Sequence, residues 1–244
     1  LPDAEGHPQG VLIGVDPEAD TWSLAAAAGK LPEGVYQLDC DWTRERRVAA
    51  AIGWGLGAYR FDRYRKSTPA RSRLSLAGWP FQDVGRITHT VGAVQLVRDL
   101  INTPAEDMMP RHLATACEQL AARFGGEFQQ IVGDKLIEQN YPSIHRVGRA
   151  SVHEPRLLEL RWGDPAHPLV SLVGKGVCFD SGGLDIKTSS GMRQMKKDMG
   201  GAAHVLGLAH LIMSQRLPVR LRVLIGAVEN AISGNAFRPG DVIT

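Results

Sequence analysis

The chain has 244 residues, of which 43% are hydrophobic and 22% charged, enough to bury a substantial core in one or two domains. A formal net charge of +2 selects neither nucleic acid nor an acidic partner, and no apolar run approaches the roughly 20 residues of a membrane span. The opening Leu1-Pro2-Asp3-Ala4-Glu5-Gly6-His7 has no basic-then-apolar signal layout, lacks an initiating Met and reads as an entry within a domain.

Residues 10–15 read as a short strand, residues 21–29 as a helix and residues 34–38 as a second strand. Residues 44–64 read as a longer helix, with Val48, Ile52, Leu56, Tyr59 and Tyr64 at mostly helical spacing. Gly53, Gly55 and Gly57 each weaken such a helix by about 1 kcal/mol relative to Ala, which points to close packing against a neighbour. Residues 66–82, with Pro69, Gly78 and Pro80, read as a linker or an edge segment. Basic side chains outnumber acids between Arg44 and Arg73, so a nucleic-acid surface is weighed against a solvated helix face with oligomer contacts. No recognition motif accompanies the charge, and the second reading is preferred.

Residues 88–101 form an expected helix that separates apolar from polar faces and stops at Asn102-Thr103-Pro104. Pro110 opens another, running to Phe124 and closed by Gly125 and Gly126. A strand at 128–132, a short helix at 133–140, a loop through Pro142, Gly148 and Ser151, and a strand at 156–162 follow. An apolar run at 169–173 ends in Gly174 as a further strand. After Gly200 and Gly201 a helix carries Ala203, Leu206, Ala209, His210 and Met213, and a buried strand at 220–228 delivers Glu229 and Asn230 to its end. This alternation argues for an α/β fold with a parallel or mixed sheet covered by helices.

The most informative stretch runs from Val173 to Ala203 and sets Lys175, Asp180, Asp185, Lys187, Lys196, Lys197 and Asp198 among seven glycines. A Gly-rich segment leaving a buried strand lets backbone and short side chains converge on a ligand at the crevice where α/β sheets bind them. The expected order is strand, loop, helix, with the charges facing the crevice. Gly174-Lys175-Gly176 is not a phosphate loop, which needs Gly-Lys-Ser/Thr at the opening of a helix. Divalent cations need carboxylates, and Asp180 with Asp198 supply two negative charges; a lysine amine can join as ligand or serve as a fixed electrophile. Taken singly, Lys175 reads as solvated and the two aspartates as turn or cap residues, while Met192, Met195 and Met199 read as core. Asp185 and Lys196 read as surface charges, and His204 and His210 as packing or solvated residues. Three widely spaced cysteines, Cys40, Cys117 and Cys178, have no metal-type pairing and fit a reducing compartment, the cytoplasm.

Three blocks, GKGVCFDSGGLDIK, MKKDMGGAA and ENAISGNAFRPGDV, closely resemble the signature of the leucine aminopeptidase (cytosol aminopeptidase) family. WGLGAYRFDRYRK resembles the last helix of that family's N-terminal domain, and RDLINTPAEDMMP its block at the entry to the catalytic domain. The resemblance implies an N-terminal α/β domain and an α/β/α catalytic domain with a mixed, mostly parallel central sheet, both partial here. The domains would be residues 1–82, a connecting helix at 83–102, and residues 103–244. It implies that Lys175, Asp180 and Asp198 are ligands of two divalent metal ions (zinc, manganese or magnesium) with Asp180 bridging. Lys187 would polarise the scissile carbonyl, and Met195 would line the substrate pocket. Cys178 stands where the family often has Thr, and Thr188 where it usually has Pro; neither is a ligand. Glu229 would shape the site without binding metal.

The implied function is removal of N-terminal residues, Leu-like and others, from peptides by a homohexamer. The family's remaining ligands and its catalytic arginine lie in an Asn-Thr-Asp-Ala-Glu-Gly-Arg run after the last block, and the sequence stops at Thr244 before that run. A non-catalytic binding or structural fragment, or a pseudoenzyme, therefore stays open, as does a nucleic-acid-binding role for the basic segment.

Overall fold

The computed structural model describes residues 9–16, 21–65 and 72–243, and the chain divides into two compact units, Leu1–Val91 and Gly92–Thr244. In the first, a 3-10 turn at Thr21–Leu24 leads to helix α1 (Ala27–Lys30), strand β1 (Gly34–Tyr36), helix α2 (Arg44–Gly57), strand β2 (Ser72–Leu74) and the opening turns of helix α3 (Phe81–Asn102). β1 and β2 pair in parallel, Gly34 opposite Ser72 and Tyr36 opposite Leu74. Thr43 caps α2, its Oγ1 accepting from the Arg46 amide at 3.3 Å. Ala50 and Trp54 of α2 are buried with Leu24, Ala27 and Ala28.

The glycines of α2 do mark close packing: a Cβ at Gly53 would lie 1.6 Å from the Thr21 carbonyl oxygen, and one at Gly57 1.9 Å from that of Ala25. The helix nevertheless ends at Gly57, earlier than its apolar spacing suggests. Packing against residues 21–25 offsets the glycine cost only as far as the contact reaches. The helix expected at 21–29 is split into the 3-10 turn and α1. Residues 10–15 form no strand, and Val11, Leu12 and Ile13 are exposed without a ladder partner. Conversely, part of the expected linker becomes β2, since β1 supplies an edge to pair with; residues 66–71 of that segment lie outside the described residues. Three arginines of the basic segment are engaged internally: Arg44 grips Asp83 through two bonds of 2.8 Å, Arg46 stacks 4.3 Å from the Trp42 ring, and Arg47 lies 5.8 Å from that of Trp79.

The second unit continues from α3 through a 3-10 turn at Ala105–Asp107 into α4 (Pro110–Phe124), β3 (Glu127–Val132), α5 (Lys135–Glu138) and α6 (Pro142–Gly148). Then come β4 (Arg156–Trp162), β5 (Leu169–Asp180), α7 (Ser189–Met192), a 3-10 turn at Met195–Met199, α8 (Gly200–Ser214) and β6 (Arg220–Asn230). α4 has the expected bounds, with Gly125 closing it at φ 70°. The sheet order is β3-β4-β6-β5. It is mixed, as expected, but not mostly parallel: β3–β4 and β4–β6 are antiparallel and only β5–β6 is parallel. The parallel pair is the one joined through a helix, α8, which such a crossover requires.

Leu113 and Cys117 of α4 and Leu206, Ala209 and Met213 of α8 bury one sheet face, joining Leu158, Leu160, Leu221, Val223 and Ile225 in a single core. On the other face, Ile144 of α6, in a stretch that reads as loop, lies 3.6 Å from where a Cβ of Gly226 would sit. β5 is far longer than its apolar run. Its ladder with β6 continues through Lys175 opposite Gly226 and Val177 opposite Val228, then shifts register before Asp180 meets Asn230. Gly174 does not end the strand. A Cβ there would lie 2.8 Å from the Ala202 Cα, so the glycine lets α8 approach the strand closely.

Candidate functional site

Four charged residues of the central stretch, Lys175, Asp180, Lys187 and Asp198, pair off along β5 and the segments that follow it. Lys175 sits within β5, not in a loop, and Asp198 comes from the 3-10 turn at Met195–Met199. Lys175 Nζ lies 2.7 Å from Asp198 Oδ2 with its side chain 60% exposed. That oxygen is itself buried and receives no well-directed hydrogen bond. The two are near enough to attract as charges but out of line for a bond, so Asp198 keeps unused acceptor capacity. The start of α8 rests on the same stretch of strand, where a Cβ at Gly201 would come within 2.9 Å of the Lys175 amide nitrogen.

Asp180, the last residue of β5, is held from three sides. Its Oδ1 accepts from the Gly182 amide at 3.0 Å and from Asn230 Nδ2 at 2.7 Å, while Oδ2 lies 3.1 Å from Lys187 Nζ. Burial pushes its pKa up, but the Gly182 amide, Lys187 and Asn230 together outweigh this and hold it below the ordinary carboxylate range. Asp180 is therefore an anion at neutral pH. Residues 181–187 form a tight return: the Lys187 amide donates to the Ser181 carbonyl at 3.0 Å. Gly182 has φ 90°, and a Cβ there would lie 2.3 Å from the Asp185 carbonyl oxygen, a position only glycine fills.

The structure thus brings the expected residues together in pairs, Lys175 with Asp198 and Lys187 with Asp180. Met195 is half-buried against the core. Asp185 is exposed, as a surface charge should be. Lys196 is not a surface charge: it is half-buried, donates to the Asn102 carbonyl at 2.7 Å, and burial holds its pKa below the usual lysine value. Thr188 caps α7 by accepting from the Gly191 amide at 3.4 Å, a bond that a proline side chain could not make. Cys178 is fully buried and burial pushes its thiol pKa up, leaving an inert thiol. His210 is buried with its ring 5.2 Å from that of Phe124.

Glu229 is 2% exposed and is bonded to Arg238 and to Ser151. Arg238 also reaches Glu106 at 3.0 Å and lies 3.6 Å from Asp241. Both carboxylate oxygens of Glu229 are thus committed to a buried network. The residues that the motifs alone do not single out are Asn230 and Gly182, which donate to Asp180, and Ser181, which bonds to the Asn230 carbonyl. The sequence signal for Asn230 is its place at a strand end.

Among the described residues no three His, Cys, Asp or Glu side chains gather into a cation site. What is present is two carboxylates and two amines. Asp180 and Asp198 would balance one divalent cation or half the charge of two, and the under-bonded Asp198 oxygen beside a lysine amine fits a cation's needs. Two cavities, of about 520 and 430 Å³, open elsewhere, around Trp162 and Gly163 at the opposite end of β5 and β6. Neither contains any of these residues.

Comparison with known proteins gives concordant matches. Residues 95–244 match the cytosol aminopeptidase family catalytic domain, and residues 1–77 the M17 aminopeptidase N-terminal domain. A probable cytosol aminopeptidase of Roseiflexus castenholzii is 39% identical over 212 residues, covering 80% of this chain and 43% of that protein. The crystal structure of the cytosol aminopeptidase from Coxiella burnetii superposes with a TM-score of 0.90 at 48% identity, covering 99% of this chain and 52% of that one. The bottromycin maturation enzyme BotP in complex with Mn gives 0.81 at 35% identity, covering 99% and 55%. The chain spans about half the length of the relatives it matches.

Proposed function

The chain belongs to the cytosol aminopeptidase family, and on that footing we propose that the whole protein is a metal-dependent aminopeptidase hydrolysing the N-terminal peptide bond of peptides, with Leu-like and other residues released. Lys175, Asp180 and Asp198 hold divalent metal, manganese or zinc in two sites. The observation that carries this is the buried, under-bonded Asp198 oxygen beside Lys175; the likeness to a Mn complex supports it. Bound cations would polarise the scissile carbonyl and lower the pKa of a water.

Asp180 enters this chemistry already ionised and with one oxygen saturated by N–H donors. Lys187, seven residues on and folded back to Asp180, donates from Nζ to the carbonyl oxygen as negative charge grows there. Met195 contributes to the wall of the pocket for the N-terminal side chain. We assign residues 1–82 to the N-terminal domain, 83–102 to the connecting helix and 103–244 to the catalytic domain, in a cytoplasmic homohexamer.

Hydrolysis of leucine p-nitroanilide by the full-length protein, measured beside metal content, tests the reading. Asp180→Asn and Asp198→Asn should each lose bound metal and most activity while remaining folded. Unchanged turnover after thorough metal removal would sink it.

A further inference from the structure

We infer that Asn230 is a positioning residue for Asp180, an inference that rests on the metal-site reading above. Asp180 needs such a residue because the β5–β6 ladder shifts register between Val177 and Asp180, so regular strand geometry does not set its side-chain direction. Asn230 stands opposite it in the resumed register and bonds both to it and to the residue after it. Its side-chain amide donates to Asp180 Oδ1 at 2.7 Å. Its carbonyl accepts from both the amide and the hydroxyl of the next residue, Ser181, at 3.0 and 2.7 Å.

With the Gly182 amide added, Oδ1 carries two N–H donors, as many as its lone pairs accommodate. Oδ2 is left as the oxygen turned to Lys187 and to any cation. Only a neutral donor serves here, since an aspartate at 230 would set two carboxylates against each other.

Asn230 is in turn held from behind. Its neighbour Glu229 is locked by Arg238 and Ser151 in the buried network. A side chain at Gly183, where φ is 68°, would place its Cβ 3.0 Å from Asn230 Oδ1. Glycine at 183 therefore leaves the Asn230 amide undisturbed in this position. Groups that orient a metal ligand typically change metal affinity 10–100-fold when removed.

The test is Mn²⁺ titration of the full-length apo protein, followed by the electron paramagnetic resonance signal of free Mn²⁺, for wild type, Asn230→Ala and Asn230→Leu. Leu keeps the side-chain volume and lacks the N–H donor. We expect about 10–100-fold weaker binding in variants whose circular dichroism matches wild type, with turnover restored towards wild type as Mn²⁺ is raised. Restoration by metal separates positioning from a merely structural role. Binding within about twofold of wild type in either folded variant overturns the inference, as does failure of both variants to fold. If wild type binds no Mn²⁺, the metal-site reading itself fails; if wild type binds and the variants match it, only the role of Asn230 falls.

Discussion

The two ends of the β5–β6 pair are both charged, and they use charge differently. At the end away from the candidate site, Glu159 of β4 is shared between Arg161 and Arg222 on one sheet face, with both arginine side chains about half-exposed. Burial raises the Glu159 pKa, but the two guanidiniums more than reverse this, so the carboxylate is ionised and its charge fully matched. At the other end, Lys175, Asp180, Lys187, Asp198 and Asn230 arrive from two strands, a loop and a 3-10 turn, and one buried carboxylate oxygen stays under-bonded. The two cavities around Trp162 and Gly163 lie at the first end. These two cavities and the under-bonded carboxylate therefore lie at opposite ends of the strand pair.

Four substitutions test this contrast. The largest expected effect is at the base of the site: Arg238→Met leaves Glu229 buried and unpaired, and should cost about 3–5 kcal/mol in denaturant unfolding. A cost near that of a surface pair would mean that the network does not anchor the strand end. Next, Lys187→Ala in the full-length enzyme should lower kcat about 100-fold, roughly 2.7 kcal/mol, with metal content unchanged; an unaltered kcat removes Lys187 from the reaction. Gly201→Ala comes third. Helix propensity alone favours Ala, but its Cβ would press on the Lys175 backbone, so we expect a loss of about 1–3 kcal/mol and weaker Mn²⁺ binding. A gain in melting temperature would show that the approach of α8 to β5 is not tight. The smallest effect belongs to the far end: Arg222→Leu leaves Glu159 paired with Arg161 and should cost less than about 1 kcal/mol, with Mn²⁺ binding and kcat as in wild type. A catalytic defect there would erase the distinction between the two ends.

Much of the second unit was legible without coordinates because its signals are local. Pro110 and the Gly125-Gly126 pair bound α4, and the apolar run at 156–162 is β4, each with the expected limits. The motif blocks led to Lys175, Asp180, Lys187 and Asp198, and the structure pairs them at one end of the sheet. What was not legible depended on distant partners. β2 is a strand because β1 lies beside it, and Lys196 is half-buried because the Asn102 carbonyl receives it from 94 positions earlier in the chain.

The sequence by itself determined the family, the α/β character, the apolar segments that make the core, and the identity of the charged residues, because each is written in contiguous residues and their spacing. Tertiary structure alone decided that β5 runs on past Gly174, that two of the three strand pairings in the larger sheet are antiparallel, and that Glu229 turns into a buried ion pair while its neighbour Asn230 faces Asp180. Strand partners, and the direction in which a strand-end side chain points, are set by contacts between residues tens of positions apart, and no local pattern encodes them.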